Sequence, residues 1–210
     1  MKRAGIVGLF VLCLSSFALF GQGVRVRAYG SVGYTLAPPS LKSLDYDTSI
    51  RWSTSYQDAT VGGGVQVLFP MKGIDLGVDI GFTTLYSLAL DNQAYLATNY
   101  YDYFYDASDL VSIDLVAEKK LGGPFFVQGG AGLYLDMWTY RYRDYYNNVV
   151  SDSSDDWGVR FPFGLMVAGG ADLPLSPTVK AFGLVRGDLV FTNGAVFPLR
   201  ALLGVEIVRP

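Results

Sequence analysis

The sequence predicts an all-β protein, an eight-stranded antiparallel up-and-down transmembrane β-barrel preceded by a signal peptide. Three observations support this prediction. Segments of about ten residues or more alternate apolar and polar side chains, and about ten tilted residues are needed to cross a bilayer as a strand. The polar member of the alternation is repeatedly a full charge, as at Arg25, Asp75 and Asp79. Short turns alternate with long polar connections, which is typical of outer-membrane barrels.

The first 21 residues are predicted to be a secretory signal peptide. Lys2 and Arg3 form a basic start, and a short apolar run and two serines follow them, which is the order found in such peptides. We expect cleavage after residue 18 or after residue 21, and a barrel domain over residues 22–210. The alternative is an uncleaved membrane anchor.

The composition excludes several classes of site. The chain has 16 basic and 19 acidic residues, no histidine and one cysteine. The absence of histidine removes the Ser-His catalytic pair, the common zinc sites and a proton switch near neutral pH. Cys13 lies in the predicted signal peptide, so no thiol chemistry is expected of the mature chain. Since no basic face is visible for nucleic acid, we predict a protein without enzymatic activity, cofactor, metal site or nucleic-acid partner.

Eight segments fit membrane-crossing strands. Four short turns and three long polar connections join them, and the long ones span residues 37–59, 87–109 and 141–156. With both termini on the periplasmic side, all three long connections fall on the outer side. The predicted strands are Val24–Leu36, Thr60–Phe69, Ile74–Tyr86, Leu110–Glu118, Phe125–Tyr140, Trp157–Leu173, Thr178–Phe191 and Ala195–Val208.

One face of each predicted strand is nearly free of polar residues, as in alternate residues 197–207. A charge on the lipid side costs roughly 2–4 kcal/mol near the bilayer midplane, so these faces are expected to contact lipid. In the seventh strand, Lys180, Phe182 and Arg186 lie on one face. This face is assigned to the lumen because two of these residues are charged. A soluble barrel with an apolar core shows the same alternation, but aromatic residues at strand ends, such as Trp157, favour the membrane arrangement.

This pattern resembles the small outer-membrane barrels of diderm bacteria, the group of the OmpA transmembrane domain, OmpX and OmpW. The resemblance covers the mature chain and consists of the signal peptide, the eight alternating strands and the long outer connections. It implies location in the outer membrane of a diderm bacterium, contact with outer-membrane lipid, and insertion by the outer-membrane assembly machinery. Such barrels usually end in an aromatic residue, whereas this chain ends in Val208, Arg209 and Pro210. Either this end does not act as the standard assembly signal, or the lineage uses a different one.

The predicted lumen is filled by charged side chains. An eight-stranded barrel is just wide enough for its own side chains, and buried charges are stable only when paired. Because the inward faces carry nearly equal numbers of basic and acidic residues, we expect internal pairing and no ion-selective pore. Asp136 is expected to meet Arg160 near the outer end, and Glu206 to lie beside Arg25 and Arg27 across the closing seam. The predicted network consists of Arg25, Arg27, Asp79, Asp114, Asp136, Arg160, Arg186, Arg200 and Glu206.

Two stretches of the long connections are dense in tyrosine. Tyrosine is frequent in binding surfaces. The alternative interpretation is an aromatic belt at the membrane interface together with strand ends that extend above the membrane. We predict a structural or adhesive role through the long outer connections, with host or extracellular ligands as candidate partners. The alternatives are a narrow, porin-like channel for small solutes and a soluble secreted β-barrel that binds an apolar ligand. The candidate binding residues are Tyr100, Tyr101, Tyr103, Tyr105, Tyr142, Tyr145 and Tyr146.

Overall fold

A computed structural model shows ten β-strands among the described residues, of which eight form one closed barrel sheet and two extend it at one end. The structure describes residues 23–36, 52–57, 59–92, 100–146, 149–192 and 194–208, and the predicted signal peptide lies outside them. The strands are β1 (Arg25–Leu36), β2 (Trp52–Gln57), β3 (Ala59–Pro70), β4 (Asp75–Asn92), β5 (Tyr100–Gly122), β6 (Phe125–Tyr146), β7 (Val149–Arg160), β8 (Phe163–Pro174), β9 (Val179–Thr192) and β10 (Gly194–Val208).

Antiparallel pairing closes the sheet on itself. β1 pairs with β3 on one side and with β10 on the other, so that Arg27 lies opposite both Gln66 and Glu206. The other pairs are β3–β4, β4–β5, β5–β6, β6–β8, β8–β9 and β9–β10. Each of these eight strands has two partners, so the closed part has no free edge. The predicted up-and-down barrel is confirmed.

β2 and β7 are extensions of this barrel at one end. β2 pairs with β4 beyond the part of β4 that β3 contacts, and β7 pairs with β6 beyond the part that β8 contacts. We call this end the outer end. In the described ranges, no helix is long and apolar enough to cross a bilayer.

Short turns lie at the opposite end, which we call the turn end. They occupy residues 71–74, 123–124 and 175–178, close to three of the short connections that the sequence predicts. Gly73 and Gly123 have φ angles of +87° and +57°, in the region that glycine adopts without steric cost. The start of β1 and the finish of β10 also lie here, because residue 25 pairs with residue 208.

The predicted bounds of the long connections are wrong, because much of each connection is strand. β4 continues to Asn92, β5 begins at Tyr100 and β6 continues to Tyr146. Tyrosine, threonine and valine fit a pleated sheet well, so pairing persists where the alternation stops. Beyond the lipid, neither face of a strand has to be apolar, and the periodic signal that marks a membrane strand is lost.

The predicted strand Trp157–Leu173 is also interrupted, at Phe161 and Pro162, which separate β7 from β8. Proline has no N–H to donate to a strand ladder, so it is disfavoured inside a sheet. The Pro162 carbonyl still accepts a hydrogen bond from the Tyr134 amide at 2.9 Å. The interruption therefore leaves β6 in contact with the β7–β8 segment.

The outer surface carries a continuous band of exposed apolar side chains, which we call the apolar belt. Every barrel strand contributes at least one large member to it. Examples, one from each strand, are Val32, Val61, Ile80, Leu115, Leu133, Val167, Val185 and Leu203.

The height of the apolar belt matches a membrane. Along β5, the outward positions from 111 to 117 are apolar, and Asp109 and Lys119 flank them. The ten steps from residue 109 to residue 119 span about 33 Å along a strand, or about 25 Å at the tilt of a barrel strand. Transmembrane β-barrels carry an apolar band of about that height.

Inside the barrel, aromatic rings lie against glycines of the neighbouring strand. A Cβ atom added to Gly164 would lie 2.5 Å from the Tyr134 ring, and one added to Gly158 would lie 2.7 Å from the Trp138 ring. Real Cβ atoms do not approach other heavy atoms this closely. These two positions therefore require glycine because a ring occupies the space of the side chain.

We predict that Gly164→Ala lowers the free energy of unfolding by about 1–3 kcal/mol, the usual range for overpacking an interior. The matched control is Gly169→Ala on the same strand, where an added Cβ would meet nothing within 4 Å. Urea unfolding of both variants in lipid vesicles measures the difference. Equal stability of the two variants would show that Tyr134 does not occupy this space.

Candidate functional site

Two groups of paired charges, most of them buried, cross the lumen, and an apolar layer separates them. The group nearer the turn end, which we call the lower cluster, has four basic and four acidic members and is neutral as a whole. Its members are Arg25, Arg27, Asp75, Glu118, Lys120, Asp172, Lys180 and Glu206.

Arg27 lies at the centre of the lower cluster and is fully buried. Its Nε donates to Glu206 Oε2 at 2.6 Å, its Nη2 donates to Asp172 Oδ1 at 3.1 Å, and its Nη1 is bonded to Glu118. These carboxylates belong to β10, β8 and β5, so one guanidinium reaches across the barrel from β1. A buried guanidinium requires such partners because an unpaired buried charge costs several kcal/mol.

Arg25 supplies a second guanidinium to the same carboxylates. Its Nη1 donates to Glu206 at 3.1 Å, its Nη2 donates to Glu118 at 2.8 Å, and it is also paired with Asp75. Lys180 donates to the other oxygen of Glu206 at 3.1 Å. Glu206 on β10 therefore contacts three cations, two of them on β1, and these contacts bridge the β1–β10 seam.

An apolar layer covers the lower cluster. The guanidinium of Arg27 lies over the rings of Phe126 and Phe182, 4.5 and 4.9 Å from their centroids. Gln66 connects the charges on the two sides of this layer, because it accepts from Arg27 at 3.2 Å and donates to Asp79 at 3.2 Å. The layer consists of Tyr29, Val116, Phe126, Met166, Ala168, Phe182, Leu184 and Leu202.

The second group of charges, the middle cluster, is built around Arg186. Arg186 Nε donates to Asp188 Oδ1 at 2.8 Å, and its Nη2 donates to Asp114 Oδ2 at 2.5 Å. Arg200 Nη2 donates to the other oxygen of Asp188 at 2.6 Å. Each of its charged members is at most 3% exposed, so water does not screen these pairs. The members are Tyr29, Asp79, Asp114, Arg186, Asp188 and Arg200.

Tyr29 connects β1 to the middle cluster. Its hydroxyl donates to Asp79 Oδ1 at 2.7 Å. An added Cβ at Gly64 would lie 2.5 Å from the same hydroxyl oxygen. The glycine thus leaves the space through which the tyrosine reaches the carboxylate.

Towards the outer end the lumen becomes apolar again and then polar at its mouth. Leu85, Leu110, Tyr134, Val190 and Val196 form a second buried apolar group. Beyond this group, Ser108 Oγ donates to Asp136 at 2.5 Å, and Arg160 lies 3.9 Å from the same carboxylate. The guanidinium of Arg160 also lies 4.9 Å from the centre of the Trp138 ring.

The nine lumen residues that the sequence predicts lie in three places. The lower cluster contains Arg25, Arg27 and Glu206, and the outer end contains Asp136 and the partly exposed Arg160. The remaining four, Asp79, Asp114, Arg186 and Arg200, are in the middle cluster.

The structure adds further charged and polar residues to these clusters. By strand parity the sequence already places Asp75, Glu118, Lys180 and Asp188 on inward faces, although the predicted network does not include them. Parity could also have found Asp172, which has the parity of Arg160, whereas the amides and hydroxyls carry no such charge signal. The residues that join the clusters beyond the predicted nine are Tyr29, Gln66, Asp75, Glu118, Lys120, Gln128, Asp172, Lys180 and Asp188.

The seven candidate tyrosines lie in strands, as expected if these stretches are extended strand ends above the membrane. Tyr100, Tyr101, Tyr103 and Tyr105 belong to β5, and Tyr142, Tyr145 and Tyr146 belong to β6. Four of them pair with one another, residue 101 opposite residue 145 and residue 100 opposite residue 146, and the other three lie opposite residues 104, 141 and 143. Their side chains lie outside the described part of the structure, so their binding role stays a prediction. Among the described residues, no group of His, Cys, Asp and Glu is arranged to hold a metal ion.

Comparison with known proteins finds similarity among solved structures. Neisserial surface protein A is 15% identical with a TM-score of 0.45, and the match covers 89% of this chain and 97% of that one. OprG from Pseudomonas aeruginosa is 10% identical with a TM-score of 0.49, covering 89% and 95%. A major outer membrane protein from Thermus thermophilus is 15% identical with a TM-score of 0.47, covering 88% and 98%. No family model and no curated protein matches the chain.

We predict that Arg27→Ala lowers the free energy of unfolding by about 3–5 kcal/mol, because three buried carboxylates lose a partner. The control is Arg141→Ala, since Arg141 and Asp155 are both 58% exposed and lie 4.0 Å apart. An exposed pair contributes about 0–1 kcal/mol. Equilibrium unfolding in vesicles measures both changes, and a similar small loss in both variants would contradict this account of the lower cluster.

Proposed function

We propose that this chain is an integral outer-membrane barrel protein without enzymatic activity, with a lumen closed by its own side chains and a structural or adhesive role at its outer end. The observation that supports this most strongly is inverted polarity. Leu115 on the outer surface is 70% exposed, whereas Arg27 in the interior is fully buried. Lipid is the solvent in which this arrangement is stable.

The same polarity argues against a soluble barrel that binds an apolar ligand. In a soluble barrel, the apolar residues form the core and the charges face water. Soluble monomers rarely expose apolar patches larger than a few hundred Å², whereas the apolar belt runs around all eight barrel strands. In water, such a surface would drive aggregation.

We propose the outer membrane as the location of this protein because of the architecture of its barrel. Only helices and closed barrels satisfy their backbone hydrogen bonds inside a bilayer. Barrels with an even strand number, short turns at one end and long extensions at the other are typical of bacterial outer membranes. The predicted signal peptide provides the route out of the cytoplasm. We propose that outer-membrane lipid and the assembly machinery are the partners during insertion.

The two charged clusters favour a closed lumen over a channel. Arg27 alone contacts carboxylates from three other strands, and Arg186 contacts Asp79 and Asp114 as well as Asp188 on its own strand. Apolar groups lie on both sides of the middle cluster. An ion crossing the barrel would have to displace side chains at each of these levels.

The outer end is the part of the barrel available to other molecules. β5 extends nine residues beyond Asp109, about 30 Å along the strand. β2 and β7 border this extension, and among the described residues each pairs with a single strand. The result is an extended sheet outside the apolar belt, which suits a structural or adhesive role.

Membrane insertion is tested by placing an arginine at two heights of β5. We expect Leu115→Arg, in the middle of the apolar belt, to lower the free energy of unfolding by about 2–4 kcal/mol. Leu121→Arg, near the turn, is expected to cost at most about 1 kcal/mol, although the two leucines are similarly exposed. Unfolding from vesicles, followed by the heat-modifiable gel shift, measures both. Equal costs, or a barrel that folds in plain buffer, would contradict membrane insertion.

The closed lumen is tested by electrical recording. We expect the native barrel in a planar bilayer to show no single-channel steps, because paired side chains occupy its cross-section. Samples are first checked for the folded gel band so that a silent trace reports an inserted barrel. Regular conductance steps from the native protein would favour the channel alternative.

A further inference from the structure

We propose that the turn end of the barrel binds anionic phospholipid, with exposed lysines contacting the headgroups and apolar turn residues entering the edge of the acyl region. This inference rests on the proposed function, since it requires a barrel that spans a membrane. We call the surface the turn face. It consists of Met71, Lys72, Lys119, Leu121, Phe125, Leu173 and Leu175.

The turn face is unusually apolar for the tips of turns. A large apolar side chain that is more than half exposed lies in or directly beside each of the three described turns: Met71 and Leu175 in the turns, and Leu121 at the end of β5. Turns that project into water are normally built from small and polar residues. Because the same feature recurs at three separate turns, we infer that all three turns lie in one environment other than bulk water.

The backbone of these turns is hydrogen-bonded within the protein. The Met71 amide donates to the Ile74 carbonyl at 3.1 Å, and the Leu175 amide donates to the Val179 carbonyl at 3.0 Å. Each unmade backbone hydrogen bond is costly where water is scarce. The turns are therefore suited to the interfacial region of a bilayer.

Positive charge is the other component of the turn face. Lys72 and Lys119 are exposed, and neither belongs to an ion pair between described residues. The nearby carboxylates, Asp75, Glu118 and Asp172, belong to the lower cluster and are directed to the lumen. Among the described side chains, the outward charges at this end are thus basic, which is complementary to anionic headgroups.

Continuity with the apolar belt favours lipid over a protein partner. Lys119 has the same outward parity on β5 as Leu115, so it stands at the border of the belt. A lysine in this position can lay its aliphatic stem on apolar surface and place its ammonium at headgroup level. Leu173 and Phe125 are exposed beside the turns and extend the apolar surface to them.

The charge component is tested with the full barrel reconstituted in phosphatidylcholine containing phosphatidylglycerol. Spin-labelled lipids report the relative association of the two headgroups with the protein. We expect the native barrel to prefer phosphatidylglycerol at least about twofold, with a weaker preference at high salt. Lys72→Gln with Lys119→Gln should remove the preference, Lys72→Arg with Lys119→Arg should retain it, and Arg141→Gln at the outer end should leave it unchanged.

The folded gel band distinguishes a failure of the proposed function from a failure of the present inference. A chain that fails to insert counts against the proposed function, whereas an inserted chain without headgroup preference overturns only the present inference. A preference that survives removal of both lysines overturns it as well.

The apolar component is tested with an environment-sensitive dye on Leu175→Cys in a Cys13→Ser background, since Cys13 is the only cysteine. We expect blue-shifted emission that brominated lipid quenches, whereas the dye on Asp156→Cys at the outer end should report water. Water-like emission at position 175 in an inserted barrel overturns the inference. A blue shift that appears only when an acidic protein is added would indicate a protein partner at the turn face, and it would also overturn the inference.

Discussion

The structure depends on the pairing of buried charges across a lumen that only side chains can fill. Arg27 illustrates this constraint, because its partners Glu118, Asp172 and Glu206 come from three strands other than its own. An apolar lumen would be filled equally well by many arrangements of similar side chains, whereas a guanidinium accepts few. The lower cluster therefore fixes how β1 lies relative to β5, β8 and β10, and that relation includes the seam at which the barrel closes.

The apolar outer surface follows from the same placement of charges inside the lumen. Once the charges are inside, strand alternation places the apolar residues outside, where only lipid accommodates them. Glycines let the interior close around its bulky members, as where Tyr29 passes Gly64 to reach Asp79. Interior and exterior are thus two consequences of one alternating pattern, and a one-residue register slip would reverse both.

The parts of this fold that could be predicted are those encoded by the two-residue alternation of apolar and polar side chains. The charges of Lys180 and Arg186 mark the inward face of their strand, parity then assigns Phe182 and Leu184 to the same face, and the structure places them there. Parity does not encode which strand lies across the lumen, because the stagger of the strands sets that relation. For this reason the contact of Arg27 with Asp172 could not be predicted. The bounds of the outer parts of β5 and β6 could not be predicted for another reason, since strands in water need no apolar face.

A double-mutant cycle on Arg27 and Glu118 tests the central claim most directly. Arg27→Met, Glu118→Gln and the double variant are unfolded from vesicles beside the native barrel, and the coupling free energy is obtained from the four values. Close contact across the lumen predicts a coupling of at least about 1 kcal/mol, within the range known for directly interacting residues. Additive effects of the two substitutions would show that these side chains are independent, and that the barrel is not organised by charge pairing across its lumen.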